Sequence, residues 1–153
     1  DIGYSKLINR LPIGFLRDYG CGFSERSYIF HMNEDCVYDP NVLDRKMTYL
    51  KEKRAECLYC KNILCYDIYN KDYYKSETPD IFESTLFHTK EFWSRCGFKW
   101  SDIENEGKYF SINNGVDMCI NNYYDTIQLL TLDNMNILQP KRVEIDPKEL
   151  KEI

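Results

Sequence analysis

The sequence predicts an α+β domain, in which helices pack against a small antiparallel sheet. Three observations support this fold class: a capped helical pattern at about residues 40–56, a second at about residues 79–96, and an Asn114-Gly115 pair between two alternating segments. The chain has 153 residues, of which 43% are hydrophobic and 29% charged, as is usual for one globular domain. We expect that domain to cover residues 1–139, with a charged tail or short helix over residues 140–153.

The N-terminal region is expected to contain a helix, a loop and a buried segment. Residues 4–18 have helical apolar spacing, and Pro12 should end or restart this helix because proline lacks a backbone N–H. The two glycines of Gly20-Cys21-Gly22 predict a loop. The stretch over residues 23–32 follows, and we expect it to be a strand or an irregular buried segment.

The two central helices are predicted from their first residues and from apolar spacing. Asp39-Pro40 can cap and start a helix, and Leu43 begins an apolar stripe that repeats at i+4 and i+7. Thr78-Pro79-Asp80 marks a second start, and Gly97 is placed to end that helix. Residues 58–69 lie between the two helices, are rich in β-forming residue types, and predict a strand or a bent hairpin.

The best-marked turn is the Asn114-Gly115 pair. Asn-Gly tolerates the positive φ angles of a type I′ turn, and the segments on either side, residues 109–112 and 116–120, carry β-forming apolar residues. A β-hairpin is therefore predicted there. Residues 125–132 form a further apolar element.

Composition and charge argue against several classes of protein. Thirteen Tyr and eight Phe supply more buriable surface than a disordered chain carries. Twenty basic and twenty-five acidic residues give a net charge of −5 with no continuous basic stripe, which argues against a nucleic-acid partner. No apolar run approaches the roughly 18–20 residues that span a bilayer, so no membrane span is predicted.

The amino-acid composition says more about the type of genome and the cellular compartment than about the function. Ala55 is the single alanine, whereas residue types with AT-rich codons are abundant, which suggests a parasite or a virus with an AT-rich genome. Seven cysteines, an odd number, and twelve Asn without an Asn-x-Ser/Thr acceptor lean toward a reducing, intracellular compartment without excluding secretion. The chain opens at Asp1 without Met, which suggests a piece of a larger protein.

Four residues form a candidate zinc site: Cys57, Cys60, His88 and Cys96. The C-x-x-C spacing of the first two lets two thiolates bind one ion, and the other two supply the third and fourth ligands. If residues 79–96 form one helix, however, His88 and Cys96 lie about 12 Å apart along its axis. Both could reach one ion only if the helix broke between them. The alternative is that the cysteines are small hydrophobic residues in a buried strand.

Two enzymatic alternatives follow from the same region. The first is a metal-dependent nuclease, because Pro79-Asp80 followed by Glu106-Gly107-Lys108 satisfies a PD…ExK pattern, in which carboxylates hold a divalent ion and lysine stabilises developing charge. The position of Asp80 at a helix start and the acidic net charge weigh against it. The second is nucleophilic catalysis by a cysteine with His31 or His88, for which the sequence offers no nucleophile elbow and no glycine-rich oxyanion loop.

A group of tyrosines is the last feature: Tyr66, Tyr69, Tyr73 and Tyr74 lie close together in a polar segment. Tyrosine combines a large apolar body with a hydrogen-bonding tip, which is why it is enriched in protein interfaces. Because residues 69–75 are too polar to be wholly core, part of this segment should face solvent. The alternative is that codon bias places Tyr where another chain would have Phe or Leu.

These patterns favour a non-enzymatic protein–protein interaction domain that requires no cofactor. Its partner would be another protein, bound around Tyr66–Tyr74. The principal alternative is the same kind of module stabilised by zinc at the four-residue site described above. From a different class, the alternative is a metal-dependent nuclease that uses Asp80, Glu106 and Lys108.

Overall fold

A computed structural model describes residues 10–98, 115–117, 126–131 and 141–142 of the chain. These residues form three helices and a seven-stranded sheet, which confirms the α+β class. The helices are α1 (Ile13–Phe23), α2 (Val42–Lys53) and α3 (Lys90–Cys96). The strands are β1 (Tyr28–Phe30), β2 (Cys36–Tyr38), β3 (Cys57–Asp67), β4 (Asp72–Thr89), β5 (Gly115–Asp117), β6 (Thr126–Leu130) and β7 (Lys141–Arg142).

The sheet is built around a long antiparallel hairpin of β3 and β4. β4 also pairs antiparallel with β1 near one end and with β7 near the other. The opposite edge of β3 pairs in parallel with β5 and with β6, and β6 pairs antiparallel with β2. The sheet is therefore mixed, whereas the sequence predicted an antiparallel one. Parallel partners are joined by long connections and leave no local turn signal in the sequence.

Asp67 fixes the turn between β3 and β4. Its Oδ1 accepts hydrogen bonds from the N–H groups of Tyr69 and Asn70 at 2.8 and 3.0 Å, and its Oδ2 accepts one from Asn70 Nδ2 at 2.7 Å. The hydrogen bonds from Asn70 and Tyr69 lower the pKa of this carboxyl. Lys71 completes the turn in the left-handed conformation, with φ 55°. The strand predicted over residues 58–69 is confirmed as far as Asp67.

The helix predicted over residues 79–96 is wrong for most of its length, because β4 continues to Thr89. Both faces of β4 are buried near its end, since Leu86 and Phe87 belong to two different apolar clusters and are at most 2% exposed. A strand that is buried on both faces has apolar residues at consecutive positions. The spacing of apolar residues alone does not distinguish such a strand from a buried helix.

The helix that forms in this region is α3, which spans only Lys90–Cys96. Its N-cap is Thr89, whose hydroxyl accepts a hydrogen bond from the Phe92 N–H at 3.0 Å. It ends at Gly97, as predicted, with a φ of 61° that a residue with a side chain adopts at a cost. The capping signal lay at Thr89 and not at Thr78.

The helix predicted over residues 40–56 is confirmed as α2. Leu50 packs from this helix against Leu58 and Phe87 of the sheet. Lys46 is fully buried beside them, and its Nζ donates a hydrogen bond to the Thr85 carbonyl at 3.1 Å. A buried ammonium group requires such an acceptor.

At the N-terminal end, helix α1 begins after Pro12 and continues to Phe23. The loop predicted at Gly20-Cys21-Gly22 is therefore wrong, since all three residues are helical. Gly22 lies against α3, where a Cβ added to it would meet the Trp93 ring at 3.5 Å, an ordinary van der Waals distance. Residues 4–9, the first part of the helix predicted over 4–18, lie outside the described residues.

The structure describes only parts of the remaining predicted elements. Gly115–Asp117 forms β5, but Asn114 and residues 109–112, which would complete the predicted hairpin, lie outside the described residues. The apolar element predicted over 125–132 contains β6. Of the C-terminal segment over 140–153, the structure describes Lys141–Arg142, which pair with β4 as β7.

Helices cover both faces of the sheet. Consecutive residues of β3 point to opposite sides, so Cys57 joins a cluster with residues of α1 and α3, whereas Leu58 joins the cluster under α2. The first of these clusters contains Cys21, Cys57, Ile81, Leu86, Phe92 and Phe98. No helix in the described ranges has the length and apolar character needed to cross a membrane.

Candidate metal centre

Three side chains from separate elements converge beside this first cluster: Cys21 of α1, His31 after β1, and His88 of β4. The Nε2 atoms of the two histidines are 2.9 Å apart, and Cys21 Sγ lies 4.0 Å from each. All three ligand atoms lie within 4.8 Å of one another. Among the residues described, this is the one group of three or more Cys, His, Asp or Glu side chains compact enough to hold an ion.

Strand pairing brings the two histidines together. In the register of β1 and β4, Ile29 is opposite His88. His31 follows β1 directly, and its N–H donates to the Leu86 carbonyl at 3.0 Å, which continues the antiparallel ladder by one more residue. The relative position of the two imidazoles is therefore set by the backbone of the sheet.

Helix α1 is held over the histidines by polar contacts to the region of α3. Asp18 Oδ1 accepts hydrogen bonds from Trp93 Nε1 at 2.8 Å and from the Phe98 N–H at 2.7 Å. Lys90 Nζ donates to the Ser24 carbonyl at the end of α1, where backbone carbonyls lack helical partners. These contacts place Cys21 above the sheet, where it is 1% exposed.

The spacing of the three ligand atoms is close to that of a tetrahedral zinc site. Zinc bonds of about 2.0–2.1 Å to nitrogen and about 2.3 Å to sulfur place two nitrogens about 3.3 Å apart and sulfur about 3.6 Å from nitrogen. The observed separations of 2.9 and 4.0 Å each differ from these by roughly 0.4 Å. Small side-chain rotations would therefore complete the site.

Hydrogen bonds to the outer nitrogens determine the tautomers of both imidazoles. His88 Nδ1 lies 2.9 Å from the Thr89 carbonyl, so it carries the proton and donates it, which leaves Nε2 with a lone pair. Arg17 Nη1 lies 3.1 Å from His31 Nδ1 and can only donate, so His31 carries its proton on Nε2. That proton is donated to His88 Nε2, and a continuous chain runs from Arg17 to Thr89.

Burial keeps all three groups uncharged. Desolvation lowers the pKa of His88 to about 4, against the opposing effect of its bond to Thr89. Desolvation, with the nearby His88 and Arg17, lowers the pKa of His31 well below its ordinary value. Burial and the Asp18 carboxylate raise the pKa of the Cys21 thiol to about 12. A neutral imidazole can bind a metal through an unprotonated nitrogen, as His88 Nε2 offers, whereas His31 must first move its proton to Nδ1 and the thiol must lose its proton.

The depressed pKa of His88 predicts acid sensitivity of the metal-free protein. Its folded pKa of about 4 lies below the ordinary value of 6.5, so the unfolded chain binds the proton more readily. The contribution of neutral His88 to the free energy of unfolding is fully present above pH 6.5. About 3 kcal/mol of it is lost as the pH falls to 4. Urea unfolding of the metal-free protein at pH 7.5 and 4.0 measures this difference. His88→Gln should lose a large part of the pH dependence, and an unchanged slope in that variant would contradict the assignment.

Of the four residues predicted to bind zinc, only His88 belongs to this group. Cys57 faces His88 in the β3–β4 register and is fully buried in the apolar cluster, and Cys60 is paired with Phe82 further along β4. Cys96 is exposed at the end of α3. Burial raises the pKa of Cys57, which keeps its thiol protonated, as expected of a small hydrophobic residue in a strand.

The sequence indicates no metal-binding role for Cys21 or His31: it predicts a loop at Cys21 and suggests His31 only as a catalytic partner of a cysteine. The three side chains that could hold an ion come from a helix, a strand end and a second strand, and they lie 10 and 57 residues apart. No short motif marks such a site. The one available signal was that the chain has only two histidines, which makes their convergence informative.

The other candidate residues are placed in two regions. Tyr66, Tyr69, Tyr73 and Tyr74 all lie on the β3–β4 hairpin, where the Tyr66 and Tyr73 rings pair across the strands at 4.9 Å. Tyr69 in the turn is 62% exposed, and the others are half-buried. Asp80 lies in β4, while Glu106 and Lys108 lie outside the described residues, so the nuclease pattern stays a prediction.

Comparison with models of known protein families and with curated protein sequences finds no match to this chain. The arguments for its function are therefore those of its own residues. The converging cysteine and histidines provide the most specific chemistry among the side chains that the structure describes.

Proposed function

We propose that the chain is an interaction domain stabilised by one zinc ion, bound by Cys21 Sγ, His31 Nε2 and His88 Nε2. The observation that carries this proposal is the approach of all three ligand atoms to within 4.8 Å of one another in a nearly buried position. One thiolate and two imidazoles form a ligand set that zinc prefers.

The ion would tie helix α1 to the sheet. Cys21 is the ligand from the helix, His88 is the ligand from β4, and His31 follows the neighbouring strand β1 directly. An ion that binds the folded chain and not the unfolded one stabilises the fold by mass action. The Thr89 carbonyl that accepts from His88 Nδ1 is the kind of outer partner that holds a metal-binding imidazole in place.

Zinc binding requires two proton movements in these residues. Cys21 loses its thiol proton to solvent, and the proton on His31 Nε2 is replaced by one on Nδ1, so that Nε2 can bind. One proton is released in total. The bond from Arg17 to His31 Nδ1 is lost in the same step, because two donors then face each other.

Metal analysis of protein purified without chelator tests the proposal. We expect about one zinc per chain in the wild type and a loss of at least 90% in Cys21→Ser and His88→Gln. Cys96→Ser, which changes an exposed cysteine outside the group, should keep the full content. Equal zinc content in Cys21→Ser and Cys96→Ser would reject the site. An intense blue colour after addition of copper(II) would instead indicate a copper centre, which also uses one cysteine and two histidines.

For the interaction, we propose that the partner is another protein, bound at the turn of the β3–β4 hairpin. Ile68 and Tyr69 are 43% and 62% exposed at the tip of a turn that Asp67 holds in place. A rigid turn with exposed apolar side chains loses little conformational entropy on binding.

Substitution of Tyr69 separates binding from folding. Tyr69→Ala should leave the melting temperature within about 2 °C of the wild type, since the ring is mostly exposed, and should weaken binding to a purified partner at least tenfold. Leu43→Ala removes a side chain that is 51% exposed on α2 and serves as the control. Partners found by proximity labelling that respond equally to both variants would argue against the hairpin as the interface.

A further inference from the structure

A groove of about 480 Å³ lies beside the proposed zinc site, between α1 and the end of β1. Two of the three proposed ligands, Cys21 and His31, line it. Its other walls are mainly apolar, and include Leu16, Phe30 and Met32. The metal site thus lies beside a concave surface large enough for a small molecule.

Among the described residues, three donors converge, which is one fewer than zinc usually binds. Zinc in proteins is almost always four-coordinate, and sites with three protein ligands hold a water or another small ligand in the fourth position. Within the described residues, Cys21, His31 and His88 are the three donors that converge. Because two of them line the groove, an exchangeable ligand can approach from it.

Arg17 gives the groove its chemical preference. It lines the groove and donates to His31 Nδ1 in the metal-free arrangement. Metal binding at His31 Nε2 places a proton on Nδ1, so the hydrogen bond from Arg17 Nη1 to Nδ1 is lost. A carboxylate in the groove would then offer the guanidinium a charge-assisted hydrogen bond.

We infer that the fourth coordination position opens into this groove and accepts the carboxylate of a small molecule with an apolar chain, paired with Arg17. The inference rests on the proposed zinc site. The metal binds one carboxylate oxygen in place of water, Arg17 pairs with the other oxygen, and the apolar walls contact the chain. No covalent bond of the ligand is made or broken in this step.

Cobalt(II) in place of zinc provides the test, because its visible spectrum reports on its coordination. Hexanoate should change the spectrum of the one-to-one cobalt protein in a saturable way, and should bind at least tenfold more tightly than acetate because its chain contacts the apolar walls. Arg17→Met should keep the cobalt content and weaken hexanoate binding at least tenfold. Lys51→Met removes the same charge from an exposed position on α2 and should leave hexanoate binding unchanged.

The outcomes separate this inference from the proposed function. If cobalt does not bind in a one-to-one ratio, the zinc site itself is rejected. If cobalt binds and the spectrum does not respond to millimolar hexanoate, the open fourth position is rejected while the zinc site stands. If hexanoate binds equally to the wild type and to Arg17→Met, the pairing of the carboxylate with Arg17 is rejected. If hexanoate binds no more tightly than acetate, the contact of its chain with the apolar walls is rejected.

Discussion

Removal of the proposed zinc ion should lower the melting temperature of the domain by about 8–16 °C. A ligand present at a thousand times its dissociation constant stabilises the folded state by about 4 kcal/mol, and one kcal/mol shifts the melting temperature of a domain of this size by about 2–4 °C. The shift should appear when chelator-treated protein is compared with the same protein after zinc is added back. Calorimetry or circular dichroism measures it directly.

Variants assign this shift to specific side chains. In Cys21→Ser, adding zinc should no longer raise the melting temperature, whereas Cys96→Ser should retain the full increase. Comparing each variant with and without zinc removes the separate cost of placing a hydroxyl among apolar side chains. A wild-type protein whose melting temperature is the same in zinc and in chelator would overturn the stabilising role.

The metal-free form has its own stabilising arrangement, which makes the comparison informative. Arg17, His31, His88 and the Thr89 carbonyl form a chain in which every imidazole nitrogen has a partner. In the proposed zinc-bound form His31 would carry its proton on Nδ1 instead of Nε2, and the chain has only two histidines to assign. Nitrogen-15 imidazole spectra should therefore show the His31 proton on Nε2 in chelator and on Nδ1 in zinc.

Local signals predicted those parts of the fold that local interactions determine. Asp39-Pro40 and the apolar spacing predicted a helix here, and the structure has α2 from Val42, although Leu50 of the predicted stripe is buried and Leu43 is 51% exposed. The β-rich run of β3 was also identifiable. By contrast, the parallel pairing of β3 with β5 and β6 depends on residues far apart in sequence, for which one sequence has no marker.

The candidate site was predicted only in part, for a related reason. His88 was selected because it follows a C-x-x-C motif, but the motif lies along β3, where Cys57 and Cys60 are paired with different parts of β4. The side chains that do converge on His88, His31 and Cys21, are brought there by strand pairing and by the position of α1. A helix over residues 79–96 cannot pair with β1. The predicted helix therefore gave no indication that His31 and His88 would meet.

A second large effect on stability is expected at Phe87, which lies on the buried strand β4. Phe87→Ala should lower the free energy of unfolding by about 3–5 kcal/mol, because the ring is 2% exposed and its removal leaves a cavity next to Leu50 and Leu58. The ring also contacts Tyr28 and Phe30 at centroid distances of 6.0 and 6.2 Å. Urea unfolding of the zinc-loaded protein measures the loss.

The same variant distinguishes the two faces of β4. Phe87 and His88 are consecutive residues of a strand, so their side chains point to opposite sides of the sheet. Phe87→Ala should therefore retain one zinc per chain despite its lower stability. Phe23→Ala removes a ring that is 58% exposed and should change the free energy of unfolding by less than about 0.5 kcal/mol. Loss of zinc from Phe87→Ala while it remains folded would contradict the separation of the metal centre from the core under α2.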